Sequence, residues 1–277
     1  MKKVIFTMML FVLVAALAAC GGSDEETKGN ADNDKSVKLG GTAGPYSDML
    51  KTAIQPALEE KGYKVEIVEF SDYIQPNVAL NDGSIDANLF QHSIYIENFS
   101  KENEMELTGL ITVPTAPMGI YSNVYKSIED VKDGATITIP NDPVNAARTF
   151  LILQDQGLIE LDPNAEPLTV SEKDIKTNTK NLVFQPIEAG QLPRSVDSAD
   201  LAAVPGNFAL AADMDLQDAL ILENMPDRYR NLVAVTTANK DSQLAKDLIE
   251  IVEAPEFEGI IDSEFEGFGK PEWMANR

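Results

Sequence analysis

The chain has 277 residues, 45 of them acidic and 22 basic, giving a formal charge of −23 at pH 7, with 44% hydrophobic and 24% charged residues. That balance is globular and excludes wholesale disorder or a collagen-like fibre; the length suits one large domain or two ordinary ones, and so acidic a surface argues against a nucleic-acid partner. A single Cys and a single His exclude an internal disulfide, and any zinc cluster or Cys–His nucleophilic pair would have to use both of them, so no metal site and no cofactor is expected.

At the N-terminus Lys2 and Lys3 precede an apolar run from Val4 to Ala16, followed by Leu17-Ala18-Ala19-Cys20. The run is short for a ~30 Å hydrocarbon core and has the dimensions of a signal peptide. Small residues just before a Cys resemble the lipobox of bacterial lipoproteins. That likeness implies a signal peptide over residues 1–19, cleavage before Cys20 and lipidation of its thiol, palmitate included. Acyl chains contribute about 0.8 kcal/mol per buried CH₂, so two or more would hold a soluble body at a membrane. From Gly21 to Ser36 there is no large apolar residue, and residues 20–35 are expected to be the lipidated Cys and a flexible tether.

Beyond the tether, short strand-like and longer helix-like segments alternate, the βαβ signature of an α/β fold. A strand over Val37–Gly40 leads into Gly41-Thr42-Ala43-Gly44-Pro45, a glycine-rich stretch without phosphate-loop spacing that close backbone packing explains. Apolar residues at helical spacing follow from Met49 to Leu58 and stop at Gly62; Pro56 inside that pattern predicts a kink. Strands are expected at 65–70, 86–90, 106–114 and 118–121. A second series opens with a strand at 135–140 and a helix over 143–156, signalled by Asp142 at the N-cap and Pro143 in the first turn. Strands at 182–187, 201–204 and 232–237 and helices at 243–253 and 255–261 complete the chain. So many ordered residues exceed one compact core and predict two α/β lobes, residues 36–120 plus 232–277 forming one and 121–231 the other.

Two stretches carry chemistry. Asn145 and Arg148 are three apart in the first turns of the helix after Pro143, so they share a face. A cation at that end of a helix is disfavoured unless an anion sits beside it. Arg148 therefore reads as a clamp on a ligand carboxylate or as the partner of one of the chain's many acids. In Asp86-Ala87-Asn88-Leu89-Phe90-Gln91-His92-Ser93-Ile94-Tyr95, a strand gives way to the lone His just past its carboxyl end, where open α/β sheets bind ligands. Tyr73 follows another strand, and Gly206-Asn207-Phe208 offers an amide at a strand-to-helix turn. No phosphate loop, HExxH or G-x-S-x-G is present.

Together, Gly41-Thr42-Ala43-Gly44-Pro45, Asn88-Leu89-Phe90-Gln91-His92, Pro117-Met118-Gly119-Ile120-Tyr121-Ser122, Ile139-Pro140-Asn141-Asp142-Pro143, Gln191-Leu192-Pro193-Arg194 and Gly206-Asn207 resemble the NlpA/MetQ family of substrate-binding lipoproteins, in the family's order. The resemblance implies a type 2 periplasmic-binding-protein fold, bilobed α/β with the ligand cleft between the lobes. It implies a lipid-anchored receptor on the extracytoplasmic face of the cell membrane that captures L-methionine for the permease and ATPase subunits of an ABC importer, and no enzymatic activity. By the same likeness Arg148 clamps the carboxylate, Asn145 and Asn207 surround the ligand's backbone end, and Tyr73, Phe90, His92 and Tyr95 wall the side-chain pocket, which suits a soft thioether. Phe208 stands where the family pattern has a tyrosine. The rival readings are another amino acid or a Met-containing dipeptide as cargo, an enzyme on the same scaffold, and an adhesin.

Overall fold

The computed structural model describes residues 35–277, so the signal-peptide, Cys20 and tether expectations lie outside the described residues. Alternating apolar strands and helices resolve into two five-stranded sheets. The first is built from β1 (Lys35–Thr42), β2 (Tyr63–Phe70), β3 (Ala87–His92), β4 (Leu107–Thr112) and β12 (Asn231–Thr236) in the order β2-β1-β3-β12-β4. The second is built from β5 (Gly119–Tyr121), β6 (Thr136–Pro140), β9 (Val183–Ile187), β10 (Leu201–Val204) and β11 (Ile221–Leu222), in the order β9-β6-β10-β5-β11. The two orders are the same pattern. In each sheet a parallel core is joined by one antiparallel strand, β12 or β5, that comes from across the molecule. A hairpin of β7 (Ile159–Leu161) and β8 (Ile175–Asn178) stands apart.

Two segments carry the chain between the sheets, 113–118 outward and 223–230 back. They are laced together: the amide of Glu223 donates to the carbonyl of Met118 at 2.9 Å, and that of Val113 to the carbonyl of Asn231 at 2.7 Å. Main chain joins the lobes through this paired crossover, and the cleft opens beside it.

Each lobe has its own core. In the first, Leu39, Leu89, Val233 and Val235 of the sheet pack against Met49, Leu50, Ile54, Leu248, Val252 and Phe257. In the second, Ile120, Ile137, Ile139 and Leu201 pack against Ala147, Phe150 and Leu153. A third cluster draws on both lobes and includes Tyr73, Phe90, Tyr95, Val144, Val204 and Phe208.

The helix carrying Pro56 differs from expectation. It runs as α1 (Pro45–Met49), a π-helical stretch (Leu50–Ile54) and α2 (Gln55–Glu60), without a break. Proline removes an amide and crowds the carbonyl four residues back. Widening the preceding turn, with the amide of Gln55 donating to the carbonyl of Leu50, absorbs that clash and lets the helix continue. Gly44, at φ 92°, sits where the first lobe meets the second: a Cβ there would come within 2.7 Å of the Cβ of Ala211. The glycine-rich stretch thus serves close packing, as its sequence suggested.

The helices α3 (Gln75–Asn81), α4 (Ser93–Glu102) and α5 (Pro143–Asp155) frame the cleft, as do α6 (Leu192–Ser195) and α7 (Gly206–Ala211). Helices α8 (Gln243–Glu253), α9 (Pro255–Glu264) and α10 (Glu272–Ala275) close the chain on the first lobe. At the start of α7, a Cβ on Gly206 would collide with the carbonyl of Pro117 and lie 2.7 Å from the Cβ of Ala116, both in the crossover. Gly206→Ala is therefore expected to destabilise the protein by about 1–3 kcal/mol, read as a lower midpoint in urea denaturation.

Candidate functional site

A cavity lies between the lobes beside the crossover. Tyr73, Phe90, His92, Tyr95, Asn145, Arg148 and Asn207, the seven residues singled out in the sequence, all line it. The structure adds Tyr46, Gln91, Thr115, Ala116, Pro205, Gly206 and Asn231 to the lining. Gln91 and Gly206 sit inside motifs already quoted, and Tyr46 directly follows one. Asn231 carries no local signal, being brought in by β12 from the far end of the chain.

Aromatic side chains form one wall. Tyr73 is 5.8 Å from both Phe90 and Tyr95, centroid to centroid, and Phe208 packs on its outer side at 4.9 Å. Edge and tilted contacts at these separations are favourable and fix the rings. Burial holds the phenols of Tyr73 and Tyr95 well above their ordinary range, so both remain neutral hydroxyls. The hydroxyl of Tyr95 donates to the carbonyl of Tyr73 at 3.1 Å, and that of Tyr73 reaches across the cleft to Oδ1 of Asn207 at 2.6 Å.

His92 ends β3 and caps α4. Its Nδ1 accepts the amide of Tyr95 at 3.3 Å, which leaves the ring proton on Nε2, facing Oδ1 of Asn145 at 3.4 Å across the cleft. Asn145 is held in turn by Asp142, whose carboxylate accepts from both its amide and its side-chain nitrogen. Asp142 and Pro143 start α5 as the sequence predicted. Burial raises the Asp142 carboxyl above its usual value, against the pull of those hydrogen bonds.

Arg148 departs from the simplest expectation. Its side chain is 7% exposed and lines the cavity, yet Nε and Nη2 are already bonded to Oε1 and Oε2 of Glu223 at 2.7 and 2.5 Å. The clamp read from spacing is thus also an ion pair. A guanidinium has a second edge, formed by Nη1 and the outer N–H of Nη2, and no protein acceptor takes Nη1 among the described residues. That edge is what the residue has left for a ligand carboxylate. Burial disfavours its charge, but the attraction and hydrogen bonds of Glu223 outweigh that and hold it above its ordinary value. The Tyr229 ring supports the guanidinium at 4.9 Å. Glu223 itself lies on the return crossover, and its Oε2 also accepts the amide of Met118 on the outward one at 3.1 Å. Nothing local marks Glu223 among 45 acidic residues.

The model of the NlpA lipoprotein family matches residues 37–273. The chain belongs to that family. It is 34% identical over 272 residues to the methionine-binding lipoprotein MetQ of Bacillus subtilis (strain 168), across 96% of this chain and 97% of that one. Among solved structures it is similar to a nutrient-binding protein from Burkholderia cenocepacia bound to methionine, at 36% identity and TM-score 0.79, covering 83% of this chain and 97% of that one. A periplasmic substrate-binding protein of an ABC transporter from Coxiella burnetii gives 35% identity and TM-score 0.79, with 84% and 99% coverage. As in those neighbours, the fold of this NlpA lipoprotein is bilobed α/β. Among the described residues no helix is long and apolar enough to cross a membrane.

Two consequences of this site in an NlpA lipoprotein are measurable. Removing Glu223 leaves a buried guanidinium without its counter-charge, so Glu223→Ala should cost about 3–5 kcal/mol of stability by chemical denaturation. Burial, with the nearby charge of Arg148, pushes the His92 imidazole down from 6.5 to about 3. The unfolded chain takes up that proton near pH 6.5 while the folded chain does not, so stability falls as pH drops below 6.5. Between pH 7 and pH 5 the protein should lose about 2 kcal/mol more than His92→Gln does, in paired urea titrations.

Proposed function

We propose that this NlpA lipoprotein is the lipid-anchored substrate-binding protein of an ABC importer, held by Cys20 at the extracytoplasmic face of the cell membrane. It captures L-methionine between its lobes and delivers it to the permease and ATPase subunits. The observation that carries this reading is an Arg148 guanidinium with one edge left free by Glu223, lining an aromatic-walled cavity at the junction of two lobes. A carboxylate bound there completes the donors that Glu223 leaves unused. Asn145 of α5 and Asn207 of α7 line the same cavity and offer amide groups to an α-amino acid's backbone end. The thioether lies toward Tyr73, Phe90, His92 and Tyr95, where sulfur–aromatic contacts contribute about 0.3–1.5 kcal/mol each. The names of the relatives agree: one is called methionine-binding, and another was solved with methionine bound.

Capture follows from lobe closure. Tyr73, His92 and Thr42 belong to the first lobe, and their bonds to Asn207 and Asn145 of the second, at 2.6 to 3.4 Å, cross the cleft. A ligand touching both lobes favours the closed state by its contacts with the second lobe, while the laced crossover takes up the rotation.

The reading assigns the protein no reaction of its own. Its lone imidazole has Nδ1 taken by a main-chain amide and a pKa of about 3, which suits a wall and cap rather than a general base.

The test is titration calorimetry of the purified protein with L-methionine, alongside mass spectrometry of whatever co-purifies. The expected result is tight one-to-one binding, weakened by about 2–5 kcal/mol in Arg148→Ala. Arg148→Lys should also weaken it, because an ammonium cannot serve Glu223 and a ligand along two planar edges. An unchanged affinity in Arg148→Ala would refute the assignment.

A further inference from the structure

Hydrogen bonds at one side of the cleft run in a single direction. The amide of Tyr95 donates to Nδ1 of His92 at 3.3 Å, and the Nε2 proton faces Oδ1 of Asn145 at 3.4 Å. Nδ2 of Asn145 then donates to both oxygens of Asp142, at 3.1 Å each. Each end of this chain has a fixed sense, because a main-chain amide can only donate and an ionised carboxylate can only accept. The Asn145 amide between them cannot turn over. Its nitrogen is committed to Asp142, and its oxygen is turned toward His92 and the cleft that both residues line. A carbonyl oxygen has two lone pairs, so beside the long contact to His92 it keeps room for a further donor.

Asp142 does more here than start a helix. A capping aspartate needs one oxygen for the amide of the third helical residue, and Oδ1 serves that amide, of Asn145, at 2.8 Å. The two contacts from Nδ2 are additional. Of the three asparagines that line the cavity, Asn145 is the one held by a charged group. Asn207 lies between the hydroxyls of Tyr73 and Thr42, each able to donate or accept, and Asn231 donates to the carbonyl of Phe90.

The charges at the cleft call for a cationic donor at that oxygen. Arg148 is the one ionised side chain lining the cavity, and Glu223 already answers it. A ligand carboxylate on its own would leave a buried negative charge in excess. An ammonium on the same ligand cancels it. Asn145 and Arg148 share a face of α5 three residues apart, so their Cβ atoms lie about 5–6 Å from each other. An α-amino acid carries its two charged groups on a single carbon, which suits that spacing.

We propose that Asp142 is a positioning residue for the ligand's ammonium: by holding Nδ2 of Asn145, it keeps Oδ1 turned to the cleft as an acceptor. The inference rests on the reading of the cleft as an amino-acid site anchored at Arg148. Without that carboxylate the amide is free to turn, with only the 3.4 Å contact to His92 against it. The end offered to the ammonium then becomes an NH₂ group, which repels it. Contacts to the ligand's carboxylate and thioether are left as they were.

The experiment is calorimetry with L-methionine and with γ-methylthiobutyrate, which keeps the carboxylate and thioether and lacks the ammonium. The proteins are the wild type, Asp142→Asn, Asp142→Ser, Asn145→Ala and the double variant Asp142→Asn/Asn145→Ala. Asparagine and serine cap helices about as well as aspartate, so α5 keeps its start in both single variants. The wild type should favour methionine by about 100-fold or more. In Asp142→Asn and Asp142→Ser that ratio should fall by about tenfold or more, through weaker methionine binding. In the Asn145→Ala background, Asp142→Asn should move the ratio by about threefold at most, because the amide that it positions is gone. A merely structural role would weaken both ligands alike and leave their ratio unmoved. An unmoved ratio in the folded Asp142 variants, or a fall just as large in the absence of Asn145, overturns the proposal while methionine binding stands. A wild type that binds no methionine overturns the functional reading on which the proposal rests.

Discussion

A guanidinium buried where two lobes meet must have its charge answered, and much of the architecture follows from how Glu223 answers it. Arg148 sits in the first turns of α5, where the helix field already disfavours a cation. Its partner comes from the return crossover and is also held by the outward one. One carboxylate thus ties the anchor of the cleft to the two strands that connect the lobes. Closure and recognition share a joint, so a displacement of the crossover is felt at Arg148 and the reverse.

Around that joint, the cleft satisfies its own polar groups. His92 is caught between a helix cap and Asn145, and Tyr73 between an aromatic wall and Asn207. Buried polar groups are costly when unpaired, and each cross-cleft contact joins a residue of one lobe to a residue of the other. The same side chains that would meet a ligand therefore meet one another in the closed form. Beneath them, the amides of Asn77, Asn88 and Gln91 form a closed, fully buried set of hydrogen bonds. This fixes the strand end from which Phe90 and His92 project, and such fully satisfied networks rigidify their surroundings.

Much of the cleft is legible in the amino-acid order alone. Asp142 and Pro143 mark the start of α5, because capping and proline preferences are local, and Asn145 and Arg148 fall on one face by helical spacing. The strand before the lone His is expected at 86–90 and is found at Ala87–His92, so its existence is legible while its end runs two residues further and takes in His92. Helices α3 and α4 are not: the cap of α4 is a histidine, an unusual residue there, and α3 has Ile74 at its N-cap position, its first amides being taken by the carboxylate of Asp72 from further upstream. The π-helical turn before Pro56 is hidden too, since sequence marks the proline's conflict and packing selects its resolution.

What the sequence by itself determined was the alternation of elements, the composition of the two cores, and the residue types that gather around the cleft, since periodicity, caps and turn chemistry act over a few residues. What only the tertiary structure decided was the partner of Arg148. Glu223 lies 75 residues away along the chain, one acid among many. Its role arises because two antiparallel excursions between sheets bring Met118, Glu223 and Arg148 to a single point. Charge pairing in a desolvated interior depends on distance in space, and sequence spacing carries no record of it.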